Sequence, residues 1–476
     1  MKRTITLICF VVGLMANSVL ADIIHVPGDW LSIQDAIDAA VDGDTVVVAP
    51  GTYSGKRNRE IDFNGLKITV RSEDPADAQC VSETVVDCEG WGHGFVFHCQ
   101  ENADSKLVGL TITNGQGLVG GAIYCYMNSS PSIANCVLRN NSAVYGGGIA
   151  STNGQSCPVI TNCQITGNYA QLGGGGIYVN GGSPTIRNCI ISGNFAEIDG
   201  GGAIYSHVPG SPQVVSCTIS GNAASEKAGA IYCYKSSDMT ISNSILWGDA
   251  AGYAPEVLVG NNGDPTSIQI SYCDIQGGAD SVILGSGCTV EWGPGNIDAD
   301  PRFVQPGSVD GSENYANGDY HLLAESPCID TGDPAFVAEP DETDIDGDPR
   351  VLGANLDIGA DEVKQPIVAV VRIMPKTLNL DSRGRWITCT VMLPSDYDIG
   401  DVKAESIMLN GEIEPAWSET DEEEQKLLVK FDRSLTQSML EGAESPVLLT
   451  VSGKLNDDSY FAGEDTIRLI SAGGKK

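Results

Sequence analysis

Basic residues are scarce in this chain: 27 Lys and Arg stand against 62 Asp and Glu in 476 residues, a formal charge of −35. Such a surface repels phosphate backbones and anionic headgroups, and no basic patch interrupts it, so nucleic acid and membrane surfaces are set aside as partners. Aromatic residues make up only 6% of the chain, which leaves small and β-branched side chains to fill the interior. There are five histidines, and no Ser-His-Asp arrangement is assignable from them. No C-x-x-C pair occurs, so zinc binding lacks its usual spacing signature. Beyond the N-terminus no apolar run reaches the roughly 20 residues that a bilayer demands. Between residues 110 and 225 the only charged residues are Arg139, Arg187, Glu197 and Asp199.

What is present is glycine, 57 residues of it, too many for a helical protein. The length predicts about two to four domains with ample buried core. Lys2 and Arg3 precede an apolar run over residues 5–16, and Val19-Leu20-Ala21 offers small residues for cleavage before Asp22. Residues 1–21 therefore read as a secretory signal peptide, whose removal takes the charge to −37 and makes the product extracellular, periplasmic or cell-surface. No membrane insertion is expected after cleavage. Fourteen cysteines remain, in an export context where disulfides persist.

The middle of the chain is a repeat. Leu110, Cys136, Cys163, Cys189, Cys217, Ser244 and Cys273 recur at intervals of 26, 27, 26, 28, 27 and 29 residues. Ile123, Ile149, Ile177, Ile204, Ile231 and Val257 form a second series, four of them closing a Gly-Gly-X-Ile core such as Gly120-Gly121-Ala122-Ile123. Cys-x-Ile stretches such as Cys163-Gln164-Ile165 alternate with period two and place both apolar residues on one strand face. Units this short cannot bury that face alone, so they stack as a parallel coil with cysteine and isoleucine columns in the bore. Asn135, Asn162, Asn188 and Asn243 precede the cysteine position, while Asn141, Asn168, Asn194 and Asn222 close the next turn. Asparagine tolerates left-handed backbone and bonds neighbouring main chain, which suits a repeated corner. In-register cysteines project in parallel, which favours buried free thiols over disulfides.

The opening Ile33-Gln34-Asp35-Ala36-Ile37, Gly43-Asp44-Thr45-Val46-Val47-Val48 and Pro50-Gly51-Thr52-Tyr53, with these repeats, resembles the right-handed parallel β-helix proteins of the pectate-lyase-like superfamily, secreted bacterial members included. The Gly-Gly-Ala-Ile units also resemble those of polymorphic outer-membrane proteins of the autotransporter type. The expected fold is all-β: a right-handed parallel β-helix over residues 22–290, an acidic C-terminal cap over 291–364, and a small β-sandwich-like accessory domain over 365–476. Residues 30–41 form an amphipathic helix with Ile33, Ile37 and Ala40 on one stripe, suited to capping the coil's first turn.

Three groups of residues are candidates for a site. Aligned on the isoleucines, Asp199 falls over Glu226 with Lys227 beside it, two carboxylates and a cation for catalysis or a metal, or else a solvated loop face. If the isoleucines point inward, Tyr124, Tyr178, Tyr205 and Tyr232 point outward, and Tyr126, His207 and Tyr234 form a parallel row. These rings stack against sugar faces or on one another beneath covering loops. Asp344, Asp346 and Asp348 alternate around Gly347 as a calcium loop does, but Pro349 holds the sixth place and Asn355 the twelfth, so a hydrogen-bonded acidic turn is the alternative. His93 and His98 fall near a coil edge, in a structural or surface role.

The resemblance implies carbohydrate activity, yet the signatures of its enzymes are missing: neither the pectin methylesterase Gly-x-x-Asp-Phe stretch nor the paired aspartates of polygalacturonases occur among the regular coils. The expectation is a secreted binding or structural surface for a polysaccharide or cell-envelope component, with no assignable catalytic centre. The alternatives are a calcium-assisted lyase or hydrolase acting on acidic polysaccharide, and a self-associating envelope or adhesion protein.

Overall fold

The computed structural model describes residues 21–235, 237–309, 315–316, 318–364, 366–456 and 459–470, so nearly all of the expected signal peptide lies outside the described residues. Two compact units divide the chain, residues 1–363 and 364–476. No described helix is long and apolar enough to cross a membrane.

The first unit is a right-handed parallel β-helix. Each regular coil contributes four strands, as in Ser132–Ala134, Val137–Arg139, Ser142–Tyr145 and Ile149–Gly154. Stacked coils turn these into parallel sheets of eleven, nine, six and nine strands. Register is strict, Leu138 on Ile165 on Ile191 on Ile219, because a one-residue slip would turn every apolar side chain out of the bore. The corner before the second strand is left-handed: Asn135, Asn162, Asn188 and Asn243 have φ of 50–53°, a conformation that asparagine adopts at little cost. Helix α1 (Ile33–Ala39) is capped by Ser32, buries Ile33, Ala36 and Ile37, and packs on the first strands of the coil.

The second asparagine column has another role. Asn141, Asn168, Asn194 and Asn222 are buried and hydrogen-bond in series, each amide donating to the next side-chain oxygen at 2.9–3.0 Å. The series ends on the carboxylate of Asp249, which also meets the buried Glu256 carboxyl.

The cysteine column is made of free thiols. Cys136, Cys163, Cys189 and Cys217 have no exposed surface, and each donates to the carbonyl two residues back, at 3.1–3.3 Å. Burial holds the thiols of Cys136 and Cys189 well above their ordinary range. Among the fourteen described cysteines only Cys99 is exposed, and Cys157 and Cys288 are half-buried. A thiol reagent is therefore expected to modify Cys99 at once, those two more slowly and the rest only in denaturant; mass spectrometry of the native protein showing rapid modification of Cys163 or Cys189 would contradict this.

The acidic segment, expected as a cap on the coil, lies along the outer face of the second sheet. Phe303, Tyr320, Leu322, Cys328 and Ile358 pack on Ile245. The corner asparagines dock it, Asn162 to Asp344 O at 2.8 Å and Asn188 to Thr343 O at 2.9 Å, while Gly359 N donates to Asn243 O.

The second unit is a separate, largely antiparallel β domain. Trp386–Met392 and Lys426–Asp432 alternate half-buried and buried residues along their length. Their inward side chains, Ile387, Cys389, Val391, Val429 and Phe431, share a core with Leu449, Val451 and Phe461 of the other sheet.

Candidate functional site

Along the fourth sheet the isoleucines do point inward, and the residues after them pair in register: Tyr124 on Ala150, Tyr178, Tyr205, Tyr232 and Leu258. The rings stack, with centroids 5.5 Å apart from Tyr178 to Tyr205 and 5.1 Å from Tyr205 to Tyr232. The stack is covered. Tyr178, Tyr205 and Tyr232 are only 4–6% exposed and join Ala150, Ala228 and Ala254 in an apolar cluster outside the bore. The covering backbone comes so close that a Cβ on Gly173 would lie 2.6 Å from the Tyr205 ring, and one on Gly200 2.8 Å. These three tyrosines are thus interior residues, and burial pushes their phenols up. Tyr234 and His207 at the rim are half-buried, their rings stacked 5.6 Å apart, and burial lowers the His207 imidazole.

Towards the N-terminal coils the rings are less covered. Tyr124, Tyr126 and His98 are half-buried and form a continuous stack, with 4.5 Å between the tyrosines and 5.3 Å from Tyr126 to His98. His93 packs against Tyr124 at 5.5 Å. Beside them lies a groove of about 590 Å³ lined by Asp38, Arg57, Arg59, Glu60, Asp62 and Trp91, with Trp91 70% exposed. Several of its charges are paired: Arg57 with Asp35 and Asp38, Arg59 with Glu89 at 2.7 Å, and His98 Nε2 with Asp62 Oδ2 at 2.9 Å. Half-open aromatic faces flanked by oriented polar groups suit a hydrated, polyhydroxylated ligand. Sequence reasoning singled out Tyr124 and Tyr126 as candidate rings, gave His98 a structural or surface role, and missed Trp91 and Asp62, which precede the regular repeats. The available signal was a tryptophan between two glycines, Gly90-Trp91-Gly92.

The family described as right-handed beta helix region matches residues 93–263 and, overlapping, 147–297. The matched residues are the regular coils of the β-helix. The crystal structure of pectate lyase Pel9A is similar to this β-helix protein at 15% identity and a TM-score of 0.41, over 72% of this chain and 96% of that one. No curated protein sequence matches the chain.

Elsewhere on the β-helix, the bridge between Gly201 and Ala228 sets Asp199 on the loop one coil before Glu226. No ion pair joins Asp199, Glu226 and Lys227 among the described residues. Glu226 is exposed, while Asp199 turns one carboxylate oxygen inward, where it has no hydrogen-bond partner. Its charge acts on the Tyr205 and Tyr232 phenols.

In the calcium-loop candidate, Asp344 takes the alternative of a hydrogen-bonded acidic turn. Its carboxylate is buried and accepts from the backbone N–H of Asp346, Asp348 and Glu362 at 2.8–3.0 Å, so it organises the turn from within. Asp346 turns instead to His321, 2.7 Å from Nε2, and groups with Asp361. A calcium ion takes six to eight converging oxygens, which Asp344, Asp346 and Asp348 do not present. Carboxylates at His321 Nε2 and Nδ1 push the imidazole up to about 10, so the cluster is a charged ion-pair network in its own right.

Proposed function

We propose that this is an exported β-helix protein that binds polysaccharide on the open aromatic end of its fourth sheet, at Tyr124, Tyr126, His98 and Trp91. The supporting observation is accessibility. Of the ring column expected as a platform, the middle is interior, whereas Tyr124, Tyr126 and His98 stack beside a groove lined by Trp91 with oriented carboxylates and guanidinium groups. Pyranose rings present apolar faces that pack on such aromatics, and the flanking charges order their hydroxyls.

The test is retention of the purified protein in affinity electrophoresis through neutral and acidic polysaccharides, with and without calcium, while unsaturated product and reducing ends are followed. Retention is expected on at least one polysaccharide, weakened about tenfold by Trp91→Ala or Tyr126→Ala, a loss of roughly 1.4 kcal/mol. Glu226→Ala, remote from these rings, is expected to bind unchanged. Absence of retention on every polysaccharide, or retention indifferent to both aromatic substitutions, would sink the proposal; product formation would make the site an enzyme's.

A further inference from the structure

The groove beside the open rings carries its charge unevenly. Asp62 heads the same outward column as the tyrosines, in register with Val96 and through it with Tyr124. Glu60, two residues earlier, lies against Gly92, the neighbour of Trp91: its Oε1 accepts from His93 N at 3.0 Å, and a Cβ on Gly92 would collide with that oxygen. Glu60 is exposed and has no cation partner among the described residues. Of the cations that line the groove, Arg57 lies between Asp35 and Asp38 and Arg59 on Glu89, which leaves Lys56 against the two carboxylates on the aromatic side. We infer that the polysaccharide bound here is one of amino sugars with free ammonium groups, and that Glu60 is the residue that selects the ammonium.

The inference rests on polysaccharide binding at these rings and names the class of sugar. Pyranose faces alone do not separate neutral, acidic and amino sugars, because each offers a similar C–H surface to Tyr124, Tyr126 and Trp91. Charge separates them. An ammonium between Trp91 and Glu60 gains a cation–π contact and a charge-assisted hydrogen bond, which an acetamide or a hydroxyl cannot match. A uronate in the same place meets Glu60 and Asp62 with like charge, under the field of a chain whose formal charge is −35. The field at the rings has that sign as well: burial first, and then the charges of Asp62 and Glu60 among others, raise the Tyr126 phenol. Glu60 also occupies an unusual place. Its backbone is left-handed, with φ of 51°, a conformation that the regular corners give to asparagine. Its surroundings hold it there, its N–H on His93 O at 2.7 Å and its carboxylate on His93 N. The carboxylate is therefore fixed before any ligand arrives, which lowers the cost of ordering it on binding.

The purified full chain is titrated calorimetrically, near pH 5.5 and at low salt, with hexasaccharides of β-1,4-linked glucosamine, of its fully N-acetylated form and of galacturonate. The first two share ring faces and linkage and differ in the charge on each amino group. The glucosamine hexamer is expected to bind about tenfold more tightly than the acetylated one, the contribution of one charge-assisted hydrogen bond, and the galacturonate hexamer more weakly than either. Glu60→Gln keeps an acceptor for His93 N and loses the charge, so it should abolish the difference between the first two ligands and leave the affinity for the acetylated one in place. Glu226→Gln removes an exposed carboxylate remote from the rings and should keep the preference, which separates this site from attraction by the overall charge of the chain. Equal affinities in the parent protein, tighter binding of galacturonate, or a preference that survives Glu60→Gln would each overturn the amino-sugar inference, while the polysaccharide reading would stand on any ligand whose binding weakens in Trp91→Ala. Binding of none of the three would also overturn it, and the affinity electrophoresis described above then decides separately whether the rings bind polysaccharide at all.

Discussion

Replacing Arg350 by methionine is expected to cost about 3–5 kcal/mol, the largest single-residue loss foreseen in this protein. The guanidinium has no exposed surface; Nη1 bonds Glu362 at 2.7 Å and Nη2 bonds the Gly359 carbonyl at 2.5 Å. Besides Glu362, the charges of Asp344, Asp357 and Glu342 act on it, so one cation balances a cluster of largely buried acids. Even with Arg350 present, burial pushes the Glu362 carboxyl up to about 8 and Asp357 to about 6. Methionine fills much of the volume and removes the counter-charge, leaving those carboxylates desolvated and unpaired. The loss also depends on pH in a definite sense. A carboxyl whose folded pKa lies above its unfolded value holds its proton more tightly when folded, so stability declines as pH rises from the ordinary carboxylate range through the folded pKa. Without Arg350 those pKa values rise further, and the deficit should be larger near pH 8 than near pH 5. Urea unfolding of both proteins at the two pH values measures this; a difference under about 1 kcal/mol at both would refute it.

The second large effect is a gain. Asp249→Asn is expected to stabilise the β-helix at alkaline pH and to leave it nearly unchanged near pH 5. Asp249 ends the buried asparagine series, accepting from Asn222 N at 2.6 Å and Asn222 Nδ2 at 2.9 Å through one oxygen. Its other oxygen faces the buried Glu256 carboxyl, and the two acids hydrogen-bond each other. Burial pushes Asp249 up to about 7; burial first, and the Asp249 charge second, raise Glu256 well above its ordinary value. Asp274, at about 6, adds to the same field. The pair is therefore protonated in the fold at a pH where the unfolded chain has ionised, and stability falls across that interval by at most about 4 kcal/mol for Asp249 alone. Asparagine keeps the acceptor for Asn222 and supplies a permanent donor towards Glu256, extending the series by one amide. The gain should be about 2 kcal/mol near pH 8, with a shallower decline of stability between pH 5 and 8. An unchanged pH dependence in urea melts, or a loss at pH 8, would show that Asp249 does not carry this proton.

Both effects arise where the regular repeat ends, and that boundary also separates what was legible in the sequence from what was not. Period, parallel stacking, inward cysteines and isoleucines and left-handed asparagine corners all follow from local rules applied coil after coil. A residue such as Ile165 has the same neighbours above and below, so its environment is written in its own repeat. The amphipathic helix at the first turn was legible for the same reason, although it spans only Ile33–Ala39.

The sequence by itself thus determined a right-handed β-helix with inward cysteines and a separate β domain after it, because these depend on spacing and polarity along a nearly one-dimensional stack. The tertiary structure decided the rest. It placed the acidic segment along the second sheet, where Asn162, Asn188 and Asn243 hold it. It covered Tyr178, Tyr205 and Tyr232 with glycine-lined loops and left Tyr124 less covered, though all four occupy the same outward position in the repeat. It also brought His98, just past the strand Phe95–Phe97, beside Asp62 on the neighbouring strand. Outward polarity in a strand says which way a side chain leaves the coil, and only the chain that crosses over it afterwards decides whether it meets water.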